Sequence, residues 1–263
     1  MTLAISLFQS ELAWENIKTN LDKFGKRMNS IKSTDLMILP EMFSTGFSMR
    51  SAALAENMDG RTVNWMLERA LQHNSTVCGS VIIREGDNFL NRFIWAEPTG
   101  KLQYYDKKHL FRMSEENENY SPGKERLIVQ LNGFNICPQV CYDLRFPVFS
   151  RNTQQNDNEA GQPYDLLLYV ANWPAARYTH WRALLQARAI ENQAFVVGVN
   201  RIGLDGNDIM YRGDSCVINY QGEFLEDLEN KDQETSTSLD IAPLASYRKN
   251  FPAWKDSDNF KLQ

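Results

Sequence analysis

Two cysteines lie four positions apart in the segment Ile136–Phe149, which reads ICPQVCYDLRFPVF. Such a pair could hold a metal ion, act as a redox couple, or supply one nucleophile. If Cys137 and Cys141 lie on one strand, they share a face of the sheet but are roughly 13 Å apart. A disulfide needs Cα atoms within about 7 Å of each other, and a shared zinc ion needs the two sulfur atoms closer still. The spacing therefore leaves either one nucleophile or two inert buried thiols.

Cys141 stands where an apolar strand pattern ends and the sequence YDLRFP turns toward a helix. A thiol at a strand-to-helix turn is presented at the edge of a sheet, beside backbone N–H groups that can hold an oxyanion. A helix N-terminus nearby also favours the thiolate. Cys137 lies between Ile136 and Pro138, and this setting predicts a small buried hydrophobic residue. From its local sequence alone, Cys141 can be either a nucleophile or an inert thiol.

A thiol nucleophile needs a base or a neighbouring cation, because its ordinary pKa is about 8.5. Glu41 in LPEMFSTGF follows an apolar strand pattern, at the end of the strand where α/β proteins place their sites. Lys107 in YYDKKHLFRM lies among aromatic and apolar residues and could hold an oxyanion. His180 in YTHWRALL is an alternative base on a predicted helix. Taken singly, Glu41 also fits a capping acid and Lys107 a solvated lysine.

Alternating strand and helix patterns would position these residues. The predicted strand Asp35–Pro40 ends just before Glu41, and the strand pattern FNICPQV ends just before Cys141. Predicted hairpins favour a mixed sheet or a sheet sandwich over a pure doubly wound sheet. No linker, repeat or low-complexity tract divides the chain, so we expect one domain over residues 1–263. Other predicted elements include the strands Thr2–Phe8, Ser75–Ile83 and Asn88–Glu97, the helices Glu11–Ser30, Arg61–Asn74 and Tyr178–Asn192, and the surface loops Asn152–Pro163 and Glu229–Thr237.

The composition argues against several classes of partner and of cellular location. The 263 residues carry a net charge of −5, the pI is about 5.4, and no basic patch suggests binding to nucleic acid. No segment approaches the roughly 20 apolar residues of a membrane span, and the N-terminal sequence does not resemble a signal peptide. Four cysteines without regular spacing do not suggest a secreted disulfide framework, so we expect a cytoplasmic protein. His73, His109 and His180 are scattered singly, and no metal site is predicted.

Glu41, Lys107 and Cys141 occur in that order, each at the end of a predicted strand. The segments around them, LPEMFSTGF, YDKKHLF and VCYDLRFP, resemble the Glu–Lys–Cys motifs of the nitrilase (carbon–nitrogen hydrolase) superfamily. The segment NWPAARYTHWRALLQARAIENQAFVVGVNRIG and the hairpin RGDSCVINYQGE are similar to the same superfamily, so the resemblance covers nearly the whole chain. It implies an α/β fold, a four-layer α-β-β-α sandwich that associates through its helix layers as a homodimer or higher homo-oligomer. It also implies neither a metal nor an organic cofactor.

Further details resemble the bacterial omega-amidases, namely VCYDLRFPVFSRN, NWPAAR and YRKNFPAWKDSDNF. Those enzymes release ammonia from the terminal amide of short 2-oxo dicarboxylate monoamides, 2-oxoglutaramate and 2-oxosuccinamate, through a cysteine thioester. True nitrilases carry CWE where this chain has CYD, so nitrile hydrolysis is disfavoured. Two alternatives stay open: an amidase for another small linear or N-carbamoyl amide, and a catalytically silent binding protein of the same fold.

The resemblance implies catalytic roles for four residues. Cys141 would be the nucleophile and Glu41 the general base, while Lys107 and the backbone N–H of Tyr142 would hold the oxyanion.

A second glutamate is also implied, six residues before a Pro-Gly pair. In ENENYSPG this glutamate is Glu116, which would orient the site and help to keep the lysine charged. Glu115 and Glu118 lie close enough in sequence to compete for the same role.

Substrate contacts are predicted on chemical grounds. A 2-oxo dicarboxylate monoamide keeps one free carboxylate, which calls for an arginine or a set of N–H donors. Arg177 follows the NWPAA stretch and is a candidate, although it could equally be a surface arginine at a helix start. Phe47 and Trp173 could be aromatic walls of a small pocket or core residues. Arg145 and Asp143 are expected to brace the nucleophile turn and not to touch substrate.

Overall fold

Within residues 1–152 and 162–258, the part of the chain that the computed structural model describes, the strands form two six-stranded sheets and one two-stranded sheet. In chain order the strands are β1 (Thr2–Gln9), β2 (Leu36–Ile38), β3 (Thr76–Glu85), β4 (Asn88–Ala96), β5 (Leu102–Asp106), β6 (Val129–Leu131), β7 (Phe134–Val140), β8 (Leu166–Ala171), β9 (Phe195–Asn200), β10 (Ile202–Leu204), β11 (Met210–Arg212), β12 (Cys216–Ile218), β13 (Phe224–Asp227) and β14 (Gln233–Asp240). The helices are α1 (Ile17–Met28), α2 (Ser51–Leu54), α3 (Arg61–His73), α4 (Glu116–Asn119), α5 (Pro147–Ser150), α6 (Tyr178–Asn192) and α7 (Ile241–Asn250).

The two large sheets share one plan, a parallel centre with antiparallel edges. The first has the strand order β14-β1-β2-β3-β4-β5, in which β1, β2 and β3 are parallel. The second has the order β13-β12-β9-β8-β7-β6, in which β7, β8 and β9 are parallel. Side chains that follow parallel strands meet at the same edge of a sheet, which is where open α/β sheets place their ligand sites.

The inner faces of the two sheets pack on each other. Along β1 the apolar residues alternate, so that Ile5 and Leu7 belong to the core between the sheets while Phe8 belongs to the outer core. Helices α1 and α3 cover this outer face of the first sheet with buried residues such as Phe24 and Met66. This alternation produces the layers of a sandwich.

Helix α6 covers the outer face of the second sheet. Its buried side chains include Trp181 and Leu185, which pack over β9 at Gly198. A Cβ atom at Gly198 would lie 2.6 Å from Leu185 and 2.8 Å from Trp181, so a larger residue there would push the helix away from the sheet. The predicted four-layer α-β-β-α sandwich is confirmed.

Several predicted element boundaries differ from the structure. The predicted loop Glu229–Thr237 is wrong in its second half, because β14 begins at Gln233 and pairs antiparallel with β1 along its whole length. The sequence QETSTSLD has only one apolar side chain, Leu239, and the other residues of this edge strand are half-buried or exposed, so no apolar alternation marks it. The predicted helix Glu11–Ser30 is shorter, since Asn16 accepts a hydrogen bond from the Thr19 N–H and caps α1.

Helix α7 and the hairpin of β10 and β11 were not predicted. Most of the predicted loop Asn152–Pro163, residues 153–161, lies outside the described residues. In the part of the chain that the structure describes, no helix is long and apolar enough to cross a membrane.

Candidate active site

Glu41 lies three residues beyond β2, and its side chain is fully buried. Its Oε1 accepts a hydrogen bond from the side-chain amide of Asn91 (2.8 Å), and its Oε2 accepts one from the backbone N–H of Asn172 (2.7 Å). The next residue, Met42, has a left-handed φ of 42°, and its N–H donates to Ser80 Oγ (2.8 Å). Residues of both sheets therefore hold this carboxylate in one orientation.

Lys107 directly follows β5 and projects its ammonium into the same buried space. Its Nζ is 2.8 Å from Glu41 Oε1 and 2.9 Å from both carboxylate oxygens of Glu116. Burial by itself lowers the pKa of Lys107, but the Glu116 and Glu41 carboxylates raise it, and the net shift is upward. The lysine therefore stays charged although its side chain is 1% exposed.

Glu116 begins the short helix α4 and is the second carboxylate on the lysine. Its Oε2 also accepts a hydrogen bond from the Phe111 N–H (2.6 Å), and its side chain is fully buried. Burial raises the pKa of Glu116, Lys107 opposes this, and the Glu41 charge raises it further. The neighbouring Glu115 and Glu118 are exposed. Of the three glutamates considered, the structure therefore brings only Glu116 to the lysine.

Cys141 follows β7 as the first residue of the 3-10 turn Cys141–Arg145. Its φ of 47° lies in the left-handed region, which a residue with a Cβ seldom adopts unless its surroundings hold it there. The N–H of Tyr142 is the second of the turn, and the first N–H groups of a helical turn have no acceptor within it. This N–H is thus in a position to bind an anion formed beside the sulfur.

The protonation of Cys141 follows from its surroundings. Burial raises the pKa of its thiol well above the ordinary value, and the Glu41 carboxylate raises it further, whereas Lys107 lowers it. The net shift is upward, so the resting thiol is neutral at neutral pH. A neutral thiol next to a carboxylate can react only if that carboxylate or another base takes its proton.

Cys141 and Lys107 lie at the floor of a cavity of about 630 Å³. Phe47 and Trp173 both line it, and the Lys107 Nζ is 5.2 Å from the centre of the Phe47 ring. The indole N–H of Trp173 donates to the Arg177 carbonyl (2.8 Å), which fixes the ring against the start of α6. The volume suits a small molecule.

Three arginines line this cavity, and they differ in their partners. Arg50 pairs with Glu15, at 2.5 Å. Arg177 lies over the Phe111 ring, with its guanidinium carbon 5.3 Å from the ring centre. Neither Arg177 nor Arg145 forms an ion pair with any carboxylate of residues 1–152 and 162–258. Two half-buried cations thus face the cavity without a counter-ion among the described residues.

Arg145 differs from the expectation that it braces the nucleophile turn. Its guanidinium lies 5.0 Å from the centre of the Trp173 ring and 2.9 Å from His180 Nδ1, so it points into the cavity and away from the turn. Asp143 does brace the turn, since its Oδ2 accepts a hydrogen bond from the Val140 N–H (2.9 Å).

Sequence reasoning missed two asparagines that orient Glu41. Asn91 lies in the middle of β4, where a polar residue interrupts the apolar run FLNRFIWA, and Ser80 Oγ donates to its Oδ1 (2.8 Å). Asn172 directly follows β8, and its side-chain amide donates to the Glu41 carbonyl (2.5 Å). The same signal that identified Glu41, a polar residue at the end of an apolar strand, could have found Asn172.

Two residues named as alternatives lie apart from the cavity. His180 is exposed on α6, and the cavity lining found among the described residues does not include it. Cys137 is buried inside β7, and burial raises its pKa to about 12. Within residues 1–152 and 162–258, no group of three His, Cys, Asp or Glu side chains is arranged to hold a metal ion.

The whole chain is similar to known proteins. The carbon-nitrogen hydrolase family profile matches residues 5–249. The omega-amidase YafV of Escherichia coli K12 is 48% identical over 261 residues, which cover 99% of this chain and 98% of the relative. The 2-oxoglutaramate amidase of Bacillus subtilis is 30% identical over 262 residues, which cover 97% and 98% of the two chains.

A solved structure shows the same similarity in three dimensions. The crystal structure of XC1258 from Xanthomonas campestris, described as a CN-hydrolase superfamily protein with an arsenic adduct in the active site, superposes with a TM-score of 0.97. It is 45% identical, and the alignment covers 100% of both chains.

Proposed function

The chain belongs to the carbon-nitrogen hydrolase family, and we propose that it is an amidase for short 2-oxo dicarboxylate monoamides, 2-oxoglutaramate and 2-oxosuccinamate. The reaction would release ammonia from the terminal amide. The observation that carries the proposal is the Lys107 ammonium, held at 2.8 Å by Glu41 and at 2.9 Å by Glu116 on the floor of the cavity that Cys141 also lines. The names of the two relatives, an omega-amidase and a 2-oxoglutaramate amidase, support the choice of substrate.

The first half of the proposed reaction forms a thioester. Glu41 accepts the thiol proton of Cys141, and the sulfur attacks the amide carbon, so that a C–S bond forms and the carbonyl electron pair moves to oxygen. The Lys107 ammonium and the Tyr142 N–H hold this oxyanion. When the intermediate collapses, the C–N bond breaks and Glu41 returns the proton to nitrogen, which leaves as ammonia.

The second half hydrolyses the thioester. Glu41 takes a proton from water, and the hydroxide oxygen attacks the thioester carbon to give a second oxyanion at the same donors. Collapse of this intermediate breaks the C–S bond, and the sulfur regains a proton. The products are a 2-oxo dicarboxylate, ammonia and the free enzyme. The reaction needs no co-reactant except water.

The charges around Lys107 support its role as an oxyanion donor. An ammonium has three N–H donors, and its contacts go to two carboxylates. The two Glu116 oxygens can share one bifurcated N–H, and in that arrangement the third donor is available to a substrate oxygen. Burial lowers the pKa of Lys107, but the Glu116 and Glu41 carboxylates raise it by more, which keeps this donor charged in the resting site.

Arg177 and Arg145 support a substrate with one free carboxylate. Both guanidinium groups line the cavity beside aromatic rings, at 5.3 Å from Phe111 and 5.0 Å from Trp173. A guanidinium can hold a carboxylate through two parallel N–H bonds. The proposed substrate would place its amide at Cys141 and its carboxylate at these arginines, with Phe47 and Trp173 as walls.

A panel of amides tests the substrate assignment. Ammonia release is measured for 2-oxoglutaramate, succinamate, an unbranched aliphatic amide and an N-carbamoyl amino acid. We expect the highest kcat/KM for 2-oxoglutaramate. If 2-oxoglutaramate is the poorest substrate of the four, the assignment fails, and a preference for the N-carbamoyl compound would indicate the alternative amidase.

Replacing Arg177 by Gln should raise KM for 2-oxoglutaramate by about 10- to 100-fold, the usual effect of losing a hydrogen bond to a charged group. The kcat/KM for an aliphatic amide without a carboxylate should change little. Arg50→Gln is the matched control, because Arg50 lines the same cavity but is already paired with Glu15. Equal losses for the charged and the uncharged amide would show that Arg177 does not bind the carboxylate.

The location and assembly of the protein belong to the same proposal. We propose a homodimer or higher homo-oligomer in the cytoplasm. Val148 on α5 and Ile190 on α6 are 55% and 52% exposed and offer apolar side chains for such an association. All four cysteines are free thiols, as expected in a reducing compartment. Sedimentation equilibrium would measure the oligomeric state directly.

A further inference from the structure

A buried carboxylate beside the nucleophile has no part in the proposed reaction. Asp143 lies two residues after Cys141, and its side chain is fully buried. Its Oδ2 accepts hydrogen bonds from the Val140 N–H (2.9 Å) and from the Tyr105 hydroxyl (2.7 Å). Its Oδ1 contacts the backbone N–H (3.0 Å) and the ring Nδ1 (2.7 Å) of His109. The Asp143 carboxylate thus has four polar contacts.

These partners come from both large sheets. Val140 ends β7 in the second sheet, immediately before the nucleophile, whereas Tyr105 belongs to β5 in the first sheet. Tyr105 and His109 lie on either side of Lys107, two residues before it and two residues after it. The Asp143 carboxylate therefore joins the start of the nucleophile turn to both flanks of the lysine segment.

The surrounding contacts make this link rigid. The Tyr105 hydroxyl also accepts a hydrogen bond from the Lys108 N–H (3.0 Å), which fixes the backbone next to the catalytic lysine. The His109 ring stacks on Phe146, with ring centres 3.9 Å apart and an angle of 10° between the rings. A ring stacked in this way keeps its nitrogen directed at Asp143.

The backbone of Cys141 explains why such a link is useful. Its φ of 47° is left-handed, and a residue with a Cβ holds that conformation only where its neighbours enforce it. The bond from the Val140 N–H to Asp143 closes the turn around the cysteine. Without it, the sulfur would be free to move away from the ammonium.

We infer that Asp143 is a positioning residue which, through Tyr105 and His109, fixes the Cys141 thiol relative to the Lys107 ammonium. The inference rests on the proposed function, because it takes Cys141 as the nucleophile and Lys107 as its oxyanion donor. Asp143 acts on the reaction only through geometry. A misplacement of about 1 Å can cost about 100-fold in rate, so the effect is large enough to measure.

The first test removes one hydroxyl. Tyr105→Phe keeps the buried ring and loses only the bonds to Asp143 and to the Lys108 N–H. We expect kcat for 2-oxoglutaramate to fall about tenfold while KM stays within about twofold. Tyr104→Phe is the matched control, since Tyr104 is the preceding residue of β5 and is 48% exposed; its kcat should equal that of the wild type.

The second test separates the hydrogen bond from the ring. His109→Asn keeps a side-chain amide donor near the position of Nδ1, whereas His109→Leu keeps the bulk and removes the donor. We expect His109→Leu to lose at least tenfold in kcat and His109→Asn to stay within about threefold of the wild type. Equal losses in both variants would overturn the inference, because the ring and not the bond to Asp143 would then matter.

The third measurement does not depend on the identity of the substrate. The rate of covalent capture of Cys141 by iodoacetamide, followed by mass spectrometry, should fall several-fold in Tyr105→Phe and His109→Leu and stay unchanged in Tyr104→Phe and His109→Asn. If Tyr105→Phe matches Tyr104→Phe in both kcat and capture rate, the inference is wrong. If the wild type hydrolyses no amide but the capture rates follow this pattern, the proposed function fails and the positioning role stands.

Discussion

Replacement of Cys141 by Ala is expected to reduce ammonia release from 2-oxoglutaramate by about 10⁴-fold or more, to the background of the assay. The variant should still bind the substrate, because the two arginines and the aromatic walls of the cavity are unchanged. Cys137→Ala is the matched control: the same substitution, four residues earlier, inside the strand β7 that Cys141 follows. It should keep kcat within about threefold of the wild type.

The physical reason for the contrast is the position of the two thiols. Cys141 lies at the cavity and is 8% exposed, with a carboxylate and an ammonium beside it. Cys137 is fully buried within β7, and burial alone is the main cause of its raised pKa. Loss of its sulfur leaves a small cavity in the core, so the free energy of unfolding should fall by about 1 kcal/mol. Cys137→Ala is therefore expected to lower the stability of the protein and to leave catalysis unchanged.

Two measurements check this prediction. Steady-state ammonia release gives kcat for both variants, and mass spectrometry after mixing the wild type with substrate detects the mass of an acyl group on the peptide that contains Cys141. If Cys141→Ala retained more than about a tenth of the activity, or if no acyl adduct formed on the wild type under any rapid quench, the thioester mechanism would be wrong. Absence of both adduct and ammonia would favour the silent binding protein.

The strand ends, together with the resemblance to the nitrilase motifs, are what singled out Glu41, Lys107 and Cys141 in the sequence. Glu41 and Cys141 follow strands with a clear apolar pattern, β2 in the first sheet and β7 in the second, whereas Lys107 follows the more polar strand β5. The sequence could not predict the distances between these side chains, because they depend on how the two sheets face each other. Glu116 illustrates this limit: three glutamates lie within four residues, and only the short helix α4 decides which one faces inward.

The misjudged residues have a common cause. Arg145 was expected to brace the turn because it is close to Cys141 in sequence, yet the 3-10 turn Cys141–Arg145 rotates its side chain into the cavity. Strand β14 was predicted as a loop because its partner β1 lies more than 200 residues away in the chain, and no local pattern reveals that pairing. In both cases the outcome depends on contacts that are distant in sequence or on a turn geometry that residue types do not specify.

Glu41→Gln is expected to lower kcat by about 10²- to 10⁴-fold, the usual contribution of a general acid–base group, while Cys141 remains reactive toward iodoacetamide. The two readouts separate because burial raises the pKa of the thiol and the Glu41 carboxylate raises it further. A neutral amide removes that influence, so the thiolate becomes easier to form. Hydrolysis nevertheless fails, because the amide can neither accept the thiol proton nor deliver it to the leaving ammonia.

The control for this substitution is the competing base. His180→Asn should keep kcat within about threefold, since His180 is exposed on α6 and contacts Arg145 but is not part of the cavity lining among the described residues. The opposite result, an active Glu41→Gln variant and an inactive His180→Asn variant, would replace the proposed mechanism by a Cys–His one. If Glu41→Gln lost hydrolysis and alkylation in parallel, Glu41 would act only by holding Lys107 and Asn172 in place. If Glu41 transfers the proton, hydrolysis must fall in the Glu41→Gln variant while its thiol stays reactive toward iodoacetamide.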